Sequence, residues 1–255
     1  MKKLSLVSFI FVIISLIFNS CSKSGINEPE QLYGLQGIVK DTVGKPLNDV
    51  SIYCLFSYSY IPNGSYVPEP VPKPTEVDSF TFKLEQNFPN PVYNSSFVRF
   101  AIPDDMNIEF TLKEKLSGSV KYDLSGFYYY GLYQNYLENI VTNYQLENSC
   151  YIMHLEAGKN GNPGFTAEKK LFVVSDIGKP NTESESNGYY FFDYKKACIG
   201  DTIISTLDGT NTNPILITNE INLLFKRDGY LPEIIKVSLY PELLINRDVI
   251  LKKEG

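Results

Sequence analysis

Few side chains in this 255-residue sequence can do chemistry. Four cysteines, Cys21, Cys54, Cys150 and Cys198, offer thiols for alkylation, disulfide formation or metal binding, and His154 is the one imidazole. A zinc centre needs close-spaced ligands, and Cys54, Cys150 and Cys198 lie far apart with a single histidine to join them. No metal is expected. Carboxylates recur at Asp104, Asp105, Glu183, Glu185, Asp201 and Asp208. Glycoside hydrolysis needs two carboxyls converging in a cleft, and nothing in the spacing brings two of these together, so they read as solvated loop charge. Asp208–Asn213 is rich in oxygen but lacks the spaced acidic ligands of a calcium loop, and reads as a turn. His154 lies in the alternating run Tyr151-Ile152-Met153-His154-Leu155, either as a general base or as a strand residue facing solvent. There is no Gly-x-Ser-x-Gly elbow, no phosphate loop and no dinucleotide fingerprint. The expectation is a non-enzymatic protein with no cofactor.

Binding chemistry is better represented. Phe127-Tyr128-Tyr129-Tyr130 is followed closely by Tyr133 and Tyr136. Tyrosine carries a broad apolar body and a polar tip, which suits sugar or protein surfaces. On a strand, four consecutive aromatics cannot all face the core. Tyr128, Tyr129, Tyr130 and Tyr133 are therefore the candidate binding residues, with an envelope protein or a glycan as the class of partner.

The elements that position them are strands. The chain has 19 Tyr, 16 Phe, 15 Pro and 17 Gly, a composition of half-buried pleated surfaces joined by turns. Leu132–Tyr144 has some 3.6-residue periodicity, but its Tyr and Asn content favours strands. A net charge of −6, without a run of Lys or Arg, excludes a general nucleic-acid surface.

At the start, Lys2 and Lys3 precede an apolar run, Leu4–Phe18, of 15 residues, followed by Asn19, Ser20 and Cys21. This is the order of a secretory signal, and it is short for a membrane span. Phe18-Asn19-Ser20-Cys21 resembles the lipobox of bacterial lipoproteins, with Phe18 in place of the more usual Leu. The resemblance implies cleavage after residue 20, lipidation of Cys21 and anchoring to a bacterial membrane, the outer membrane being expected. The other reading is an ordinary secretory signal with an incidental cysteine. Residues 21–33 then form a polar tether.

Leu35–Lys40 and Val50–Phe56 alternate around the turn Asp41–Leu47 and read as paired strands. Asp41 can accept backbone N–H bonds in that turn, Gly44 allows positive φ, and Pro46 presets the exit. Gly37, Val39, Asp41, Gly44, Pro46, Leu47 and Val50 resemble the opening of carboxypeptidase regulatory-like domains, which are small transthyretin-like β-sandwiches. Asn187–Phe192, Ile221–Pro232, Ile234–Leu239 and Arg247–Leu251 resemble their later strands. Between these lies a Pro-rich linker, 61–79. Phe82–Pro91 and Ser95–Pro103 then resemble the opening of C-terminal sorting domains of type IX secretion substrates and the related FlgD-type immunoglobulin-like modules.

The resulting expectation is all-β. Residues 34–60 and 186–255 make one regulatory-like sandwich, and a second, immunoglobulin-like sandwich at 80–178 is inserted in one of its loops. Cys54 and Cys198 would share a domain, as a bridge or as small buried apolar residues. The motif vocabulary resembles lipoproteins of Bacteroidota-like bacteria. It implies a lipid-anchored binding or assembly module. The alternatives are a surface component or substrate of type IX secretion and an accessory hydrolase.

Overall fold

The computed structural model describes residues 32–60, 81–159, 162–206 and 212–255. Cys21, the signal and tether expectations, the Pro-rich linker and Asp208 lie outside the described residues. The fold is nearly all strand, in several sheets of the β-sandwich class. No helix among the described residues is long and apolar enough to cross a membrane.

Strands β1 (Gly34–Asp41) and β2 (Ser51–Tyr60) open the fold. They are joined by the turn expected from the sequence: the Val43 and Lys45 N–H groups donate to Asp41 Oδ1 at 3.0 and 2.8 Å, and Gly44 has φ +86°. The two strands are not paired with each other. β1 lies antiparallel to β11 (Tyr189–Asp193) and parallel to β15 (Leu244–Asn246) and β16 (Val249–Leu251). β2 lies antiparallel to β10 (Thr182–Glu183) and β13 (Thr212–Lys226), and β13 also pairs with β12 (Thr202–Thr206) and β14 (Glu233–Ser238). The pairing expectation fails for a physical reason. Alternation says which face is buried, but hairpin partners and strands stacked across a core bury the same kind of face. Leu35, Val39, Tyr190, Phe192 and Leu251 meet Ile52, Cys54, Phe56, Ile215 and Phe225 in one apolar cluster.

The middle of the chain forms two further sheets. One holds β3 (Lys83–Leu84), β4 (Ser96–Ile102) and β7 (Gly131–Leu137), in that order. The other runs β6-β5-β8-β9, with β5 at Met106–Glu114, β6 at Val120–Tyr128, β8 at Cys150–Lys159 and β9 at Asn162–Phe172. Period-2 patterning is plain in β5, where Met106, Ile108, Phe110 and Leu112 are buried while Asn107 and Glu109 are exposed. These side chains share a second cluster with Val98, Phe100 and Ile102 of β4. Strand structure stops at Leu137, and helix α1 (Ile140–Asn143) is a single turn.

Residues Tyr33–Gly255 form one compact unit. Cys150 and Phe172, at the ends of β8 and β9, belong to the first cluster, and polar groups close the seam between the clusters. Asn148 Nδ2 donates to the carbonyls of Cys54 (3.0 Å) and Ser175 (2.7 Å), and its Oδ1 accepts from the Ser175 N–H at 2.8 Å. Asn181 accepts from the Cys54 N–H at 2.8 Å and donates to the Asn148 carbonyl at 2.7 Å. Asn90 and Thr206 exchange backbone hydrogen bonds of 2.8 and 2.9 Å.

Candidate functional site

The chain leaves β6 in one sheet and enters β7 in the other through Tyr129 and Tyr130. Alternation at this corner divides the aromatics into two sets. Tyr128 and Tyr133 turn inward against Phe100, with ring centroids 5.9 and 5.4 Å away, and meet each other edge to face at 4.9 Å. Tyr129 and Tyr130 turn outward, 67% and 65% exposed. The corner is held from within. Tyr133 Oη donates to the Tyr129 carbonyl at 2.8 Å, and the Tyr130 N–H donates to Asp105 Oδ1 at 2.9 Å. Two outward rings thus sit on backbone pinned at both ends, which lowers the entropy lost when a partner binds.

Further exposed apolar residues lie along both strands that leave the corner. Phe127 meets Tyr129 edge to face at 5.5 Å, and Leu132 and Tyr136 project from β7, all three more than half exposed. Tyr136 stacks on Phe97 at 4.7 Å, Phe97 stacks on Phe88 at 5.2 Å, and the Arg99 guanidinium lies 4.6 Å from the Phe88 centroid. Leu132 escaped the reading of the sequence. The signal was the alternation Leu132-Gln134-Tyr136, legible only once the strand is known to be an edge.

The three cysteines of the body are free thiols; Cys54 and Cys150 are buried and Cys198 is half-buried. They converge on the first cluster. Burial, reinforced by the nearby Cys198, raises the Cys54 thiol well above its ordinary value, and burial pushes Cys150 up to about 12. Burial likewise raises Cys198, against hydrogen bonds from the Cys150 backbone and the Ser149 side chain. A thiolate is the reactive form. Reduced native protein at pH 8 is therefore expected to label slowly with iodoacetamide, Cys198 first, and fast only in denaturant. Rapid native labelling of Cys54 would contradict this placement.

The remaining residues scatter. His154 on β8 is half-buried, with Nδ1 3.0 Å from Glu168 Oε1 and Nε2 3.8 Å from Glu156 Oε2. Directly opposite on β5, Thr111 buries a hydroxyl that has no hydrogen-bond partner among the described residues. Asp104 pairs with Lys159, while Glu183 and Glu185 lie exposed elsewhere. No cluster of three metal-ligating side chains occurs among the described residues.

Asp201 is the carboxylate with a defined structural task. It accepts from Lys115 at 2.5 Å and Lys170 at 2.8 Å, tying the first cluster's sheets to β9 and to the turn after β5. Burial opposes its charge, but the two lysine hydrogen bonds win and hold its pKa below the ordinary carboxylate value. A depressed folded-state pKa contributes stability above the unfolded value, near 4, that is lost as pH falls through the folded one. Asp201→Asn is expected to lower stability at pH 7 and to flatten the acid limb of the stability curve. Parallel pH curves for wild type and variant, measured by urea unfolding, would contradict this role.

No family model matches the chain, and no curated protein matches it.

Proposed function

We propose that the protein is a lipid-anchored, non-enzymatic binding or assembly module of a bacterial cell envelope, held by lipid on Cys21 and presenting the β6–β7 corner to its partner. The observation that carries this reading is the outward pair Tyr129 and Tyr130 at the corner, 67% and 65% exposed, with Phe127 edge to face against Tyr129. Large aromatics in such a patch mark interaction surfaces. The partner is an envelope protein or glycan.

The proposal includes an inserted-domain architecture, with residues 34–60 and 186–255 as a regulatory-like sandwich around an immunoglobulin-like one at 80–178. Its support is that β1 finds all its strand partners in residues 189–251. It also includes oxidation of the Cys54 and Cys198 thiols, free in this structure, to a bridge on export to an oxidising compartment. Non-reducing peptide mapping of envelope-derived protein tests the bridge: a linked peptide pair supports it, and free thiols at both positions refute it.

Cross-linking in intact envelopes tests the function. Wild type should give discrete cross-linked species. These should fall at least about tenfold in the joint Tyr129→Ser, Tyr130→Ser variant and be lost when Cys21→Ala releases the chain from the membrane. An unchanged pattern in the tyrosine variant would refute the corner as the contact face.

A further inference from the structure

We propose that β7 pairs antiparallel with β7 of a second copy of this chain, about a two-fold axis at Gln134; this deepens the binding reading above by naming one partner of the same corner.

β7 ends its sheet. One side pairs with β4 through an unbroken register from Ser96↔Leu137 to Ile102↔Gly131, and the other side has no strand among the described residues. Natural edge strands are blunted by charge, proline, bulges or cover. β7 reads Gly-Leu-Tyr-Gln-Asn-Tyr-Leu, with no charge and no proline, and its register has no bulge. The other sheet-ending strands differ. β6 carries Lys121 and Asp123, β9 carries Glu168, Lys169 and Lys170, and β14 carries Glu233 and Lys236. β12 is uncharged, but Asn90 closes its end at Thr206. β11 carries Asp193. Among the described residues, and of the edges longer than three residues, β7 is the one left both neutral and open.

Neutrality is what points to a second copy. A two-fold axis puts each strand against itself, so any charge near the axis meets its like, and directly opposed like charges destabilise a strand pair. β7 itself has none to oppose, and the nearest charge, Arg99 on the neighbouring β4, is engaged within its own copy, donating to Gln134 Oε1 at 2.6 Å and lying over the Phe88 ring. With the axis at Gln134, Leu132 lies opposite the partner's Tyr136, and Tyr133 lies opposite the partner's Asn135. Leu–Tyr is the aromatic–aliphatic kind of cross-strand pair that stabilises sheets. The two three-stranded sheets would become one of six strands.

The area sets the strength. Tyr129, Tyr130, Leu132 and Tyr136 are each 52–67% exposed, roughly 100 Å² apiece. Two copies therefore offer at most about 800 Å², of which an edge-to-edge pairing covers a part, so even with the strand backbone the total stays below the floor of about 1,000 Å² for a specific interface. The dimer is accordingly weak in solution, and tethering both copies to one surface raises their effective concentration.

The test is sedimentation equilibrium of the full mature chain in detergent. Wild type should show a monomer–dimer equilibrium. Joint Leu132→Glu, Tyr136→Glu and joint Leu132→Lys, Tyr136→Lys variants should each weaken it at least about tenfold, and mixing the two should restore association. Wild type that remains monomeric up to about 1 mM overturns the proposal. So do charged variants that self-associate like wild type. Gln134→Cys gives a second reading that does not depend on the charged variants. It should form an intermolecular disulfide on mild oxidation where Lys236→Cys on β14 does not, and failure at Gln134 or an equal yield at Lys236 overturns the proposal. If wild type is monomeric while the tyrosine-dependent envelope cross-links persist, the strand dimer fails and the binding reading survives.

Discussion

Gly37→Ala is expected to remove about 3 kcal/mol or more of stability, enough to leave a marginal protein largely unfolded. A methyl group at Gly37 would sit 2.0 Å from the Arg247 carbonyl oxygen, 2.5 Å from its carbon and 3.2 Å from the Asp248 nitrogen. These are backbone atoms, so no side chain can swing aside. The same carbonyl accepts the buried Tyr190 hydroxyl at 2.7 Å, and the Arg247 N–H donates to Gln36 O at 2.7 Å. Making room would force β1 from β15 and β16 and break the pairing between the start and end of the chain. Gly44→Ala is the control. Gly44 needs positive φ, at +86°, but among the described residues nothing lies within 4 Å of an added methyl group, so it should cost only about 1 kcal/mol. Urea unfolding checks both. Equal midpoints for the two variants would mean that the close approach at Gly37 is not a constraint.

Asn148→Ala should cost about 3–4 kcal/mol. The side chain satisfies three buried backbone groups, the Cys54 and Ser175 carbonyls and the Ser175 N–H. Each group left unpaired away from water costs about 1–3 kcal/mol, and local relaxation recovers part of the sum. The loss falls on the seam, because Cys54 lies on β2 while Asn148 precedes β8. Asn148→Asp should be worse at neutral pH, since it keeps an acceptor but aims a buried negative charge at two carbonyl oxygens. That placement raises the new carboxyl's folded-state pKa. The variant should therefore regain stability relative to wild type as pH falls through that raised value, the reverse of Asp201. Insensitivity of the Asn148→Asp deficit to pH would count against a buried seam. A double-mutant cycle with Asn181→Ala should show coupling, because both side chains hold the Cys54 backbone, Asn181 its N–H and Asn148 its carbonyl.

Period-2 alternation made β1, β2 and β8 legible from residue types alone, because side chains on a strand point alternately to core and solvent. The Asp41–Pro46 turn was legible for the same local reason: its hydrogen bonds close within five residues. Which strands pair was not legible. β1 and β2 follow one another with a good turn between them, yet they face each other across a core, since alternation is identical for a hydrogen-bonded neighbour and a stacked one. The aromatic run at residues 127–136 was visible as chemistry, but its division into inward Tyr128 and Tyr133 and outward Tyr129 and Tyr130 depended on where β6 ends and β7 begins.

Residue order alone carries the all-strand class, the strand faces and the tight turn, because those depend on residues within a few positions of one another. Folding was needed to reveal that Cys54, Cys150 and Cys198 share one core, that Asn148 and Asn181 close the seam and that, among the described residues, β7 is an open, uncharged edge. Those outcomes depend on contacts between residues tens to hundreds of positions apart, such as Gly37 with Arg247. Burial and unpaired backbone groups select such contacts, and no local pattern in the chain encodes them.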